Sequence, residues 1–206
     1  GRMDRRWDAP PGANLLVSMC FSDVPAEPAE LTQAVGLAAV RAIDRAIAHD
    51  APAASTRRAG LKWPNDVVLG DSKLAGVLAQ RSTRGPVVVG IGLNVGWAPE
   101  GSASLQRDLA LDSDPAGLLD LLLDELDQHL AHDSATRRVR YTERLATLGR
   151  VVRIQRPKGG DLVGVAEGLD EAGRLLVRPR EPAGGDAVIA VDVGDIVHLR
   201  TPAIDQ

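Results

Sequence analysis

Hydrophobic residues recur every three or four positions between Glu30 and Ala48, and this spacing holds for several turns. It is the spacing of an amphipathic helix that packs one face against a core. The same pattern, in a leucine-rich form, follows Ser113, which we predict to be the N-cap of a helix running to about His132. Two more helices are predicted, a short one at 105–109 and another at 136–147 with Gly149 as its C-cap.

Between residues 14 and 95, apart from the first helix, the chain consists mainly of strand-length segments separated by turn residues. An apolar run covers 14–21, ahead of the first helix. Turn sequences at Pro64–Asp66 and Gly70–Ser72 divide the stretch from Leu61 to Val95 into short strands. These strands are predicted at 61–63, 67–69, 73–81 and 86–95.

The pattern changes after Gly149, where short β-branched runs alternate with turns rich in Gly and Asp. Such spacing is typical of a small all-β barrel or sandwich, here about 55 residues long. We therefore place a domain boundary near Leu148, which gives domains 1–148 and 149–206. The strands of the second domain are predicted at 151–154, 162–166, 175–177, 187–191 and 196–199.

Composition and charge exclude several classes of protein. The 206 residues carry a net charge of −4 and no basic stripe, so we expect no nucleic-acid partner. No apolar run approaches the roughly 20 residues of a membrane span, so no membrane partner is expected. Cys20 is the only cysteine, which excludes internal disulfides and cysteine metal clusters. We expect Cys20 to be buried and the protein to be cytoplasmic.

Lysine is rare in this chain, because among 24 basic residues only Lys62, Lys73 and Lys158 are lysines. Arginine serves wherever a general positive charge suffices, so a lysine indicates a position that needs a compact ammonium group. Codon bias is the alternative, and it explains Lys158 adequately. For Lys62 and Lys73, which lie in one unusual region, we favour a function at a phosphate or a reacting group.

The opening loop combines cations with one aromatic ring. Arg5 and Arg6 directly precede Trp7, and Arg2 lies five residues before it. Guanidinium forks beside an indole suit an anionic ligand that carries an aromatic base. A solvated basic loop with one anchoring tryptophan is the alternative interpretation.

Lys62, Asn65 and Asp66 place a cation, an amide and a carboxylate around one turn. A nucleotide phosphate with its magnesium ion needs this mixture of groups. An Asx turn explains Asn65 and Asp66 equally well. It does not explain a lysine in a chain that prefers arginine.

Glycines inside the predicted strands mark a third unusual segment. Gly76, Gly90 and Gly92 weaken a strand but leave room for a ligand or another backbone, so they predict a slot with Lys73 at its mouth. Bulges or packing glycines are the alternative. His129 and His132 are spaced as neighbours on a helix, and we predict a solvated helix face for them rather than a metal site.

Four segments, taken in order, resemble the biotin protein ligases: GR-x-x-RRW-x-x-PPGANLLVS, KWPND, SKLAGVL and GIGLNV. The resemblance covers the chain from Gly1 to about Leu148. Beyond Gly149 the sequence is similar to the small SH3-like barrel of that family. The resemblance implies an α/β (α+β) catalytic domain, with a mixed sheet backed by helices, followed by that barrel.

The activity implied by the resemblance is that of an ATP-dependent, AMP-forming biotin–[biotin carboxyl carrier protein] ligase. Biotin would react with ATP, in the presence of Mg²⁺, to give biotinyl-5′-AMP. A lysine in the biotin carboxyl carrier domain of a biotin-dependent carboxylase would then receive the biotinyl group. The protein would be a monomer or a homodimer. The alternatives are a lipoate or octanoate ligase of the same fold, or a truncated remnant that binds nucleotide or carrier without catalysis.

Site residues carry over from the family by position. Lys73 and Arg2 are the implied catalytic residues, with Lys73 between the biotin carboxylate and the α-phosphate. Gly1 and Arg2 resemble the end of a loop that closes over biotin and retains the adenylate, and Trp7 resembles the ring that packs on adenine. The remaining implied positions are Lys62, Asn65 and Asp66 on the phosphate and adenylate side, Gly76, Val77, Gly90 and Gly92 in the biotin pocket, and Asn94 on the nucleotide side.

The sequence departs from the family pattern at several points. The segment that normally precedes the loop, with side chains for the biotin ureido group, is missing, so we expect a truncated chain with an incomplete pocket and weak activity. Met3 and Asp4 stand where the loop often carries Arg and Gly, and Gln80 stands where a carboxylate is common. A helix-turn-helix segment is also missing ahead of the loop, which argues against DNA repression.

Overall fold

The chain forms two compact units, Gly1–Arg144 and Leu145–Gln206, in a computed structural model. The structure describes residues 7–25, 27, 29–50, 57–81, 85–155, 160–180 and 187–192, and the backbone of 195–198. The division into domains at Leu148 stays a prediction.

A five-stranded sheet organises the first unit. Its strands are β1 (Leu15–Phe21), β2 (Ala59–Lys62), β3 (Asp66–Leu69), β4 (Ser72–Arg81) and β5 (Val87–Leu93), in the spatial order β1-β5-β4-β3-β2. Every neighbouring pair is antiparallel, and a parallel bridge joins Lys73 to Ser102. The strands predicted between 14 and 95 are thus confirmed, with ends that shift by one or two residues.

Helix α1 (Ala29–Asp50) covers one face of this sheet. Its apolar stripe is buried against β2 to β5, and the approach is close at Gly36, where an added Cβ would lie 3.2 Å from Leu61 and 4.0 Å from Val77. The opposite face of the sheet stays open, as the exposed side chains of Leu16 and Val88 indicate. The sheet backed by helices is therefore confirmed, and only one of its faces is available to a ligand.

Three more helices follow the sheet: α2 (Leu105–Leu109), α3 (Pro115–Leu130) and α4 (Ser134–Glu143). The predicted N-cap of α3 is wrong by one residue, because Asp114 rather than Ser113 accepts from the Gly117 backbone N–H, at 3.4 Å. Its carboxylate also suits the positive end of the helix dipole. Asp133 caps α4 in the same way, accepting from the Thr136 N–H at 2.8 Å.

The predicted end of α4 at Gly149 is wrong, because the helix stops at Glu143 and Arg144 is its C-cap. The Arg144 carbonyl accepts the N–H of Leu61 in β2 at 2.8 Å, and its guanidinium donates to Asp44 and to the Ala59 carbonyl, both at 2.7 Å. These bonds tie the end of the helix to the sheet and to α1. Gly149 has a φ of +73° but lies beyond the helix.

The second unit is a small antiparallel sheet. Its strands are β6 (Val151–Gln155), β7 (Asp161–Leu169), β8 (Leu175–Pro179), β9 (Ile189–Val191) and β10 (Asp195–His198), in the order β10-β6-β7-β8-β9. The described core is aliphatic, with Val152, Ile154, Ala166, Leu175 and Val177 fully buried. The β-rich second part of the chain is thus confirmed, and it is consistent with an SH3-like fold.

Two single-residue predictions are wrong. Cys20 is exposed rather than buried, because it points to the open face of the sheet from the edge strand β1. His129 is fully buried rather than solvated, because its side of α3 faces α1. Separately, none of the helices that the structure describes is both long and apolar enough to cross a membrane.

Candidate functional site

The register of the sheet aligns one row of residues across the open face. Each is directly opposite the next on a neighbouring strand: Lys62, Asp66, Gly76, Gly92 and Leu16. Residues opposite one another in antiparallel strands project from the same face. The row therefore puts charged side chains at one end, an exposed leucine at the other, and bare backbone between them.

A second row continues the bare backbone along the strands. It consists of Leu78, Gly90 and Ser18, on the same three strands as Gly76, Gly92 and Leu16. A Cβ added at Gly90 would meet nothing closer than the Ser18 Oγ at 3.6 Å, which is an ordinary contact. We call the surface floored by Gly76, Gly90 and Gly92 the glycine trough. It is the slot predicted from the sequence, although its use by a ligand stays a prediction.

Trp7 lies on the floor of the glycine trough. A Cβ added at Gly92 would be 2.6 Å from Cε2 and 2.8 Å from Cδ2 of the indole, closer than real atoms approach. At Gly76 the same construction gives 3.2 Å to Cζ3 of the ring. Glycine at position 92 is therefore required for the position of the indole, and the two features predicted separately from the sequence belong to one site.

Lys73 brings its ammonium group to the same place. Its Nζ is 2.6 Å from Oδ1 of Asp66 and 5.6 Å from the centre of the Trp7 ring. A Cβ added at Gly76 would be 3.1 Å from that Nζ, a tight contact that a shift of a few tenths of an ångström in the lysine side chain would relieve. The side chain keeps 40% of its exposure, which leaves the charge accessible to an anion.

Asn65 fixes the turn that carries Asp66. Its backbone carbonyl accepts from the N–H of Val77 at 2.8 Å, and its side-chain Nδ2 donates to the Val77 carbonyl at 2.7 Å. The Val77 side chain is buried on the helix-covered face, opposite the trough. Only the backbone of Val77 is therefore accessible from the open face. These two residues are placed to hold Asp66 in register with Gly76.

Asn94 is fully buried and holds the backbone of Lys73 indirectly. Its Nδ2 donates to the carbonyl of Ala103 at 2.9 Å, while the N–H of Ala103 donates to the carbonyl of Lys73 at 2.8 Å. Asn14, which the sequence did not single out, donates to Oδ1 of Asn94 and accepts from the N–H groups of Val95 and Trp97. Asn94 thus positions the Lys73 backbone through Ala103, and its role on the nucleotide side stays a prediction.

Tyr141 is a second residue that sequence reasoning missed. It is fully buried, and burial raises the pKa of its phenol well above the usual value, with the negative charge of Asp66 adding to the effect. The phenol is therefore neutral at physiological pH. Its position relative to Asp66 depends on the packing of α4 against α1, which has no local signal in the sequence.

The rest of the predicted site lies partly outside the described residues. Gly1 and Arg2, together with Arg5 and Arg6, belong to that part of the chain. Lys62 is described and stands beside Asp66 in the first row. Among the described residues, no group of three or more His, Cys, Asp or Glu is arranged to hold a metal ion.

Two family models match the chain. The model of the biotin/lipoate A/B protein ligase family matches residues 1–97. The model of the biotin protein ligase C terminal domain matches residues 147–199. The two matches fall in the first and second compact units, in the order in which the sequence resemblance has them.

The sequence similarity to two curated proteins covers nearly the whole chain. A biotin--[acetyl-CoA-carboxylase] ligase of Mycobacterium tuberculosis is 36% identical, over 97% of this chain and 75% of the relative. A protein of the same name from Paracoccus denitrificans is 34% identical, over 94% of this chain and 84% of the relative. Both identities are high enough, over enough length, to establish a common family.

Solved structures share the fold at lower sequence identity. A biotin protein ligase from Aquifex aeolicus in complex with biotin and ATP has a TM-score of 0.76 at 23% identity, covering 98% of this chain and 84% of that chain. A biotin protein ligase from Leishmania major in complex with biotinyl-5-AMP has a TM-score of 0.61 at 22% identity, covering 94% and 83%. At these identities the likeness shows the fold.

Proposed function

The chain belongs to the biotin protein ligase family, and from this we propose that it activates biotin with ATP and transfers it to a protein lysine. In the first step a biotin carboxylate oxygen bonds to the α-phosphorus of ATP, and the bond to the β-phosphate breaks to release pyrophosphate. In the second step the lysine nitrogen bonds to the carbonyl carbon of biotinyl-5′-AMP. AMP leaves, and the nitrogen loses a proton.

The observation that best supports this function is the position of Lys73 over the glycine trough, between Asp66 and Trp7. Joining a carboxylate to a triphosphate brings two anions together, so the reaction needs a fixed positive charge where negative charge builds up. Lys73 supplies that charge from a backbone held by Ala103, with Asp66 fixing its ammonium group. The part of the glycine trough at Gly90, where the indole is not among the nearest atoms, offers an uncharged floor for the biotin ring and chain.

We assign the adenine to the indole of Trp7. An aromatic ring that lies over a sheet gives a flat surface on which a base stacks. Trp7 is half-buried, so part of its surface is available for this contact. Arg2 is proposed to complete the nucleotide side by neutralising a phosphate.

Mg²⁺ is proposed to enter with ATP. This ion commonly keeps several waters and is held by substrate phosphates with one or two protein carboxylates. Asp66 is the carboxylate that the described part of the open face places beside Lys73. When bound, the ion would neutralise charge on the leaving pyrophosphate, while Asp66 would hold both the ion and the lysine.

The acceptor is proposed to be a biotin carboxyl carrier domain of a biotin-dependent carboxylase. We also propose that the protein acts in the cytoplasm, as a monomer or a homodimer, and without nucleic acid. The net charge of −4 supports the last point, because it gives no attraction to a phosphate backbone.

Calorimetry on the purified chain tests the activation step. We expect biotin and MgATP to bind more tightly together than separately, and biotinyl-5′-AMP to appear when both are present. Mass spectrometry of an added carrier domain should then show the mass of one biotinyl group on its lysine. Binding of lipoate without binding of biotin would contradict the proposal, and binding of nucleotide without adenylate formation would indicate a non-catalytic remnant.

A further inference from the structure

A second charged cleft lies on the helical side of the first unit, away from the open face of the sheet. It has a volume of about 380 Å³ and lies between α1, α3 and α4. Three arginines line it, Arg41 and Arg45 from α1 and Arg140 from α4, together with His129 from α3. We call this space the arginine cleft.

The carboxylates of the arginine cleft are already paired. Glu125 bonds to Arg45 at 3.3 Å, and Asp44 bonds to Arg144 at 2.7 Å. Arg41 and Arg140, in contrast, have no ion pair or side-chain hydrogen bond to any other residue that the structure describes. The cleft therefore carries an excess of positive charge, contributed by two guanidinium groups on different helices.

His129 adds an independent indication of a ligand. It is 1% exposed, yet neither ring nitrogen has a hydrogen-bond partner among the described residues. A neutral imidazole has one donor and one acceptor, and leaving buried polar atoms unpartnered costs about 1–3 kcal/mol. Such a side chain, lining a cleft with two uncompensated arginines, is suited to donate a hydrogen bond to an anion.

We propose that the arginine cleft binds a small oxyanion, a phosphate or a carboxylate, through Arg41, Arg140 and a ring nitrogen of His129. Guanidinium forks match both kinds of oxyanion, because each presents two oxygens to a pair of N–H donors. The site is separate from the proposed biotin and ATP site, since it lies on the far side of α1 from the glycine trough. It is therefore independent of the proposed ligase activity.

The ionisation of His129 reports whether the site is occupied. Burial, and then the charges of Arg140 and Arg41, lower the pKa of His129 to about 4. A bound anion stabilises the imidazolium and so raises this pKa. The charged and titratable groups around the ring are Arg41, Asp44 and Arg45 on α1, Glu125 on α3, His132 just after α3, and Arg140 on α4.

Proton NMR of the histidine ring protons, on the whole chain, tests the proposal. Inorganic phosphate, and separately malonate, would be titrated at fixed pH and constant ionic strength, with chloride as the reference salt, and the pH would then be varied with and without the saturating anion. We expect a saturable shift of the His129 resonance and a higher pKa, while the resonance of the exposed His49 stays unchanged. A response to phosphate, to malonate or to both identifies the type of oxyanion, and all three outcomes support the site.

Two substitutions give the decisive control. Arg41→Gln and Arg140→Gln should each weaken anion binding by roughly tenfold or more, because each removes a charged hydrogen-bond donor. Arg41 is exposed, so its replacement is not expected to disturb the fold. Arg153→Gln, at an exposed position on β6 and not part of the cleft, removes a charge elsewhere and should bind the anion as before.

Three results would overturn the proposal. The first is a His129 resonance that responds to neither oxyanion. The second is an equal response to chloride, which would indicate charge screening. The third is unchanged affinity in both arginine variants, with their fold verified by circular dichroism.

Discussion

The indole of Trp7 occupies the space that a Cβ atom on Gly92 would need, with 2.6 Å between that Cβ and Cε2 of the ring. The aromatic ring and the glycine come from segments that are far apart in the sequence. They meet because β1 and β4 both pair with β5, which leaves Gly92 in the middle of the open face.

A methyl group at position 92 should therefore displace the indole. We expect Gly92→Ala to weaken ATP binding about two- to tenfold, the range of an aromatic stacking interaction, as measured by calorimetry. Gly90→Ala is the matched control. Its new Cβ meets the Ser18 Oγ at an ordinary 3.6 Å, so nucleotide affinity should be unchanged. Equal effects of the two substitutions would rule out a specific role for the Trp7–Gly92 contact.

Removing the charge of Lys73 tests the proposed activation step. We expect Lys73→Gln to lower kcat for adenylate formation by about 10²–10³-fold, the loss typical of one group that stabilises transition-state charge. Pyrophosphate release gives the rate. Arg81→Gln, at the exposed far end of β4, removes a charge without touching the trough and should retain full activity. Adenylate formation at the normal rate in Lys73→Gln would refute the role given to this lysine.

Asn94 should act on both stability and rate. Asn94→Ala removes the donor to Ala103 O and leaves buried polar groups unpartnered, so we expect a loss of about 1–3 kcal/mol in the free energy of unfolding. Because Ala103 holds the Lys73 backbone, we expect kcat for adenylate formation to fall as well, while the KM for ATP changes less. Gln106→Ala, on the exposed side of α2, is the control for urea melts and kinetics. A stability loss with unchanged kcat would limit Asn94 to a structural role.

His129 makes stability depend on pH in a defined window. Its pKa is about 4 in the folded chain and 6.5 in the unfolded chain, so between these values the unfolded state binds more protons. The free energy of unfolding therefore falls as the pH drops from 7 to 4, by up to about 3 kcal/mol.

Urea melts in chloride buffer across this range measure the effect of His129. We expect His129→Gln to remove this part of the pH dependence and the exposed His49→Gln to preserve it. A wild-type slope in His129→Gln would show that other groups cause the dependence.

Local pattern predicted the elements of this fold because each signal lies within a few residues. Near neighbours in the sequence determine three of these signals: the apolar stripe of α1, the turns around Pro64 and Gly70, and the change of composition after Gly149. The N-cap of α3 was predicted one residue too early, because Ser113 and Asp114 are adjacent and both residue types are good N-caps. The end of α4 was missed because it is set by Arg144 bonds to residues far away in the sequence.

Unusual residue types predicted part of the site. The scarcity of lysine indicated Lys73, and glycines inside strands indicated Gly76 and Gly92. Strand formation explains neither feature. Ser18 and Asn14 carried no such signal, because their places opposite Gly90 and Asn94 depend on the pairing of β1 with β5. The register between two strands brings together residues that have no regular spacing in the sequence. Such pairs can therefore be identified only from the structure.

The ion pair between Lys73 and Asp66 has a kinetic consequence. The ammonium group already has its counter-ion before any substrate arrives, and the chain as a whole is negative. Seen from a distance, this pair is neutral and exerts little pull on an anion, so the charge of Lys73 is felt mainly when the ligand is within a Debye length of about 8–10 Å. Long-range attraction of ATP should therefore come from the other cations of the proposed site, such as Lys62, and Lys73→Gln should change the association rate less than the rate of adenylate formation.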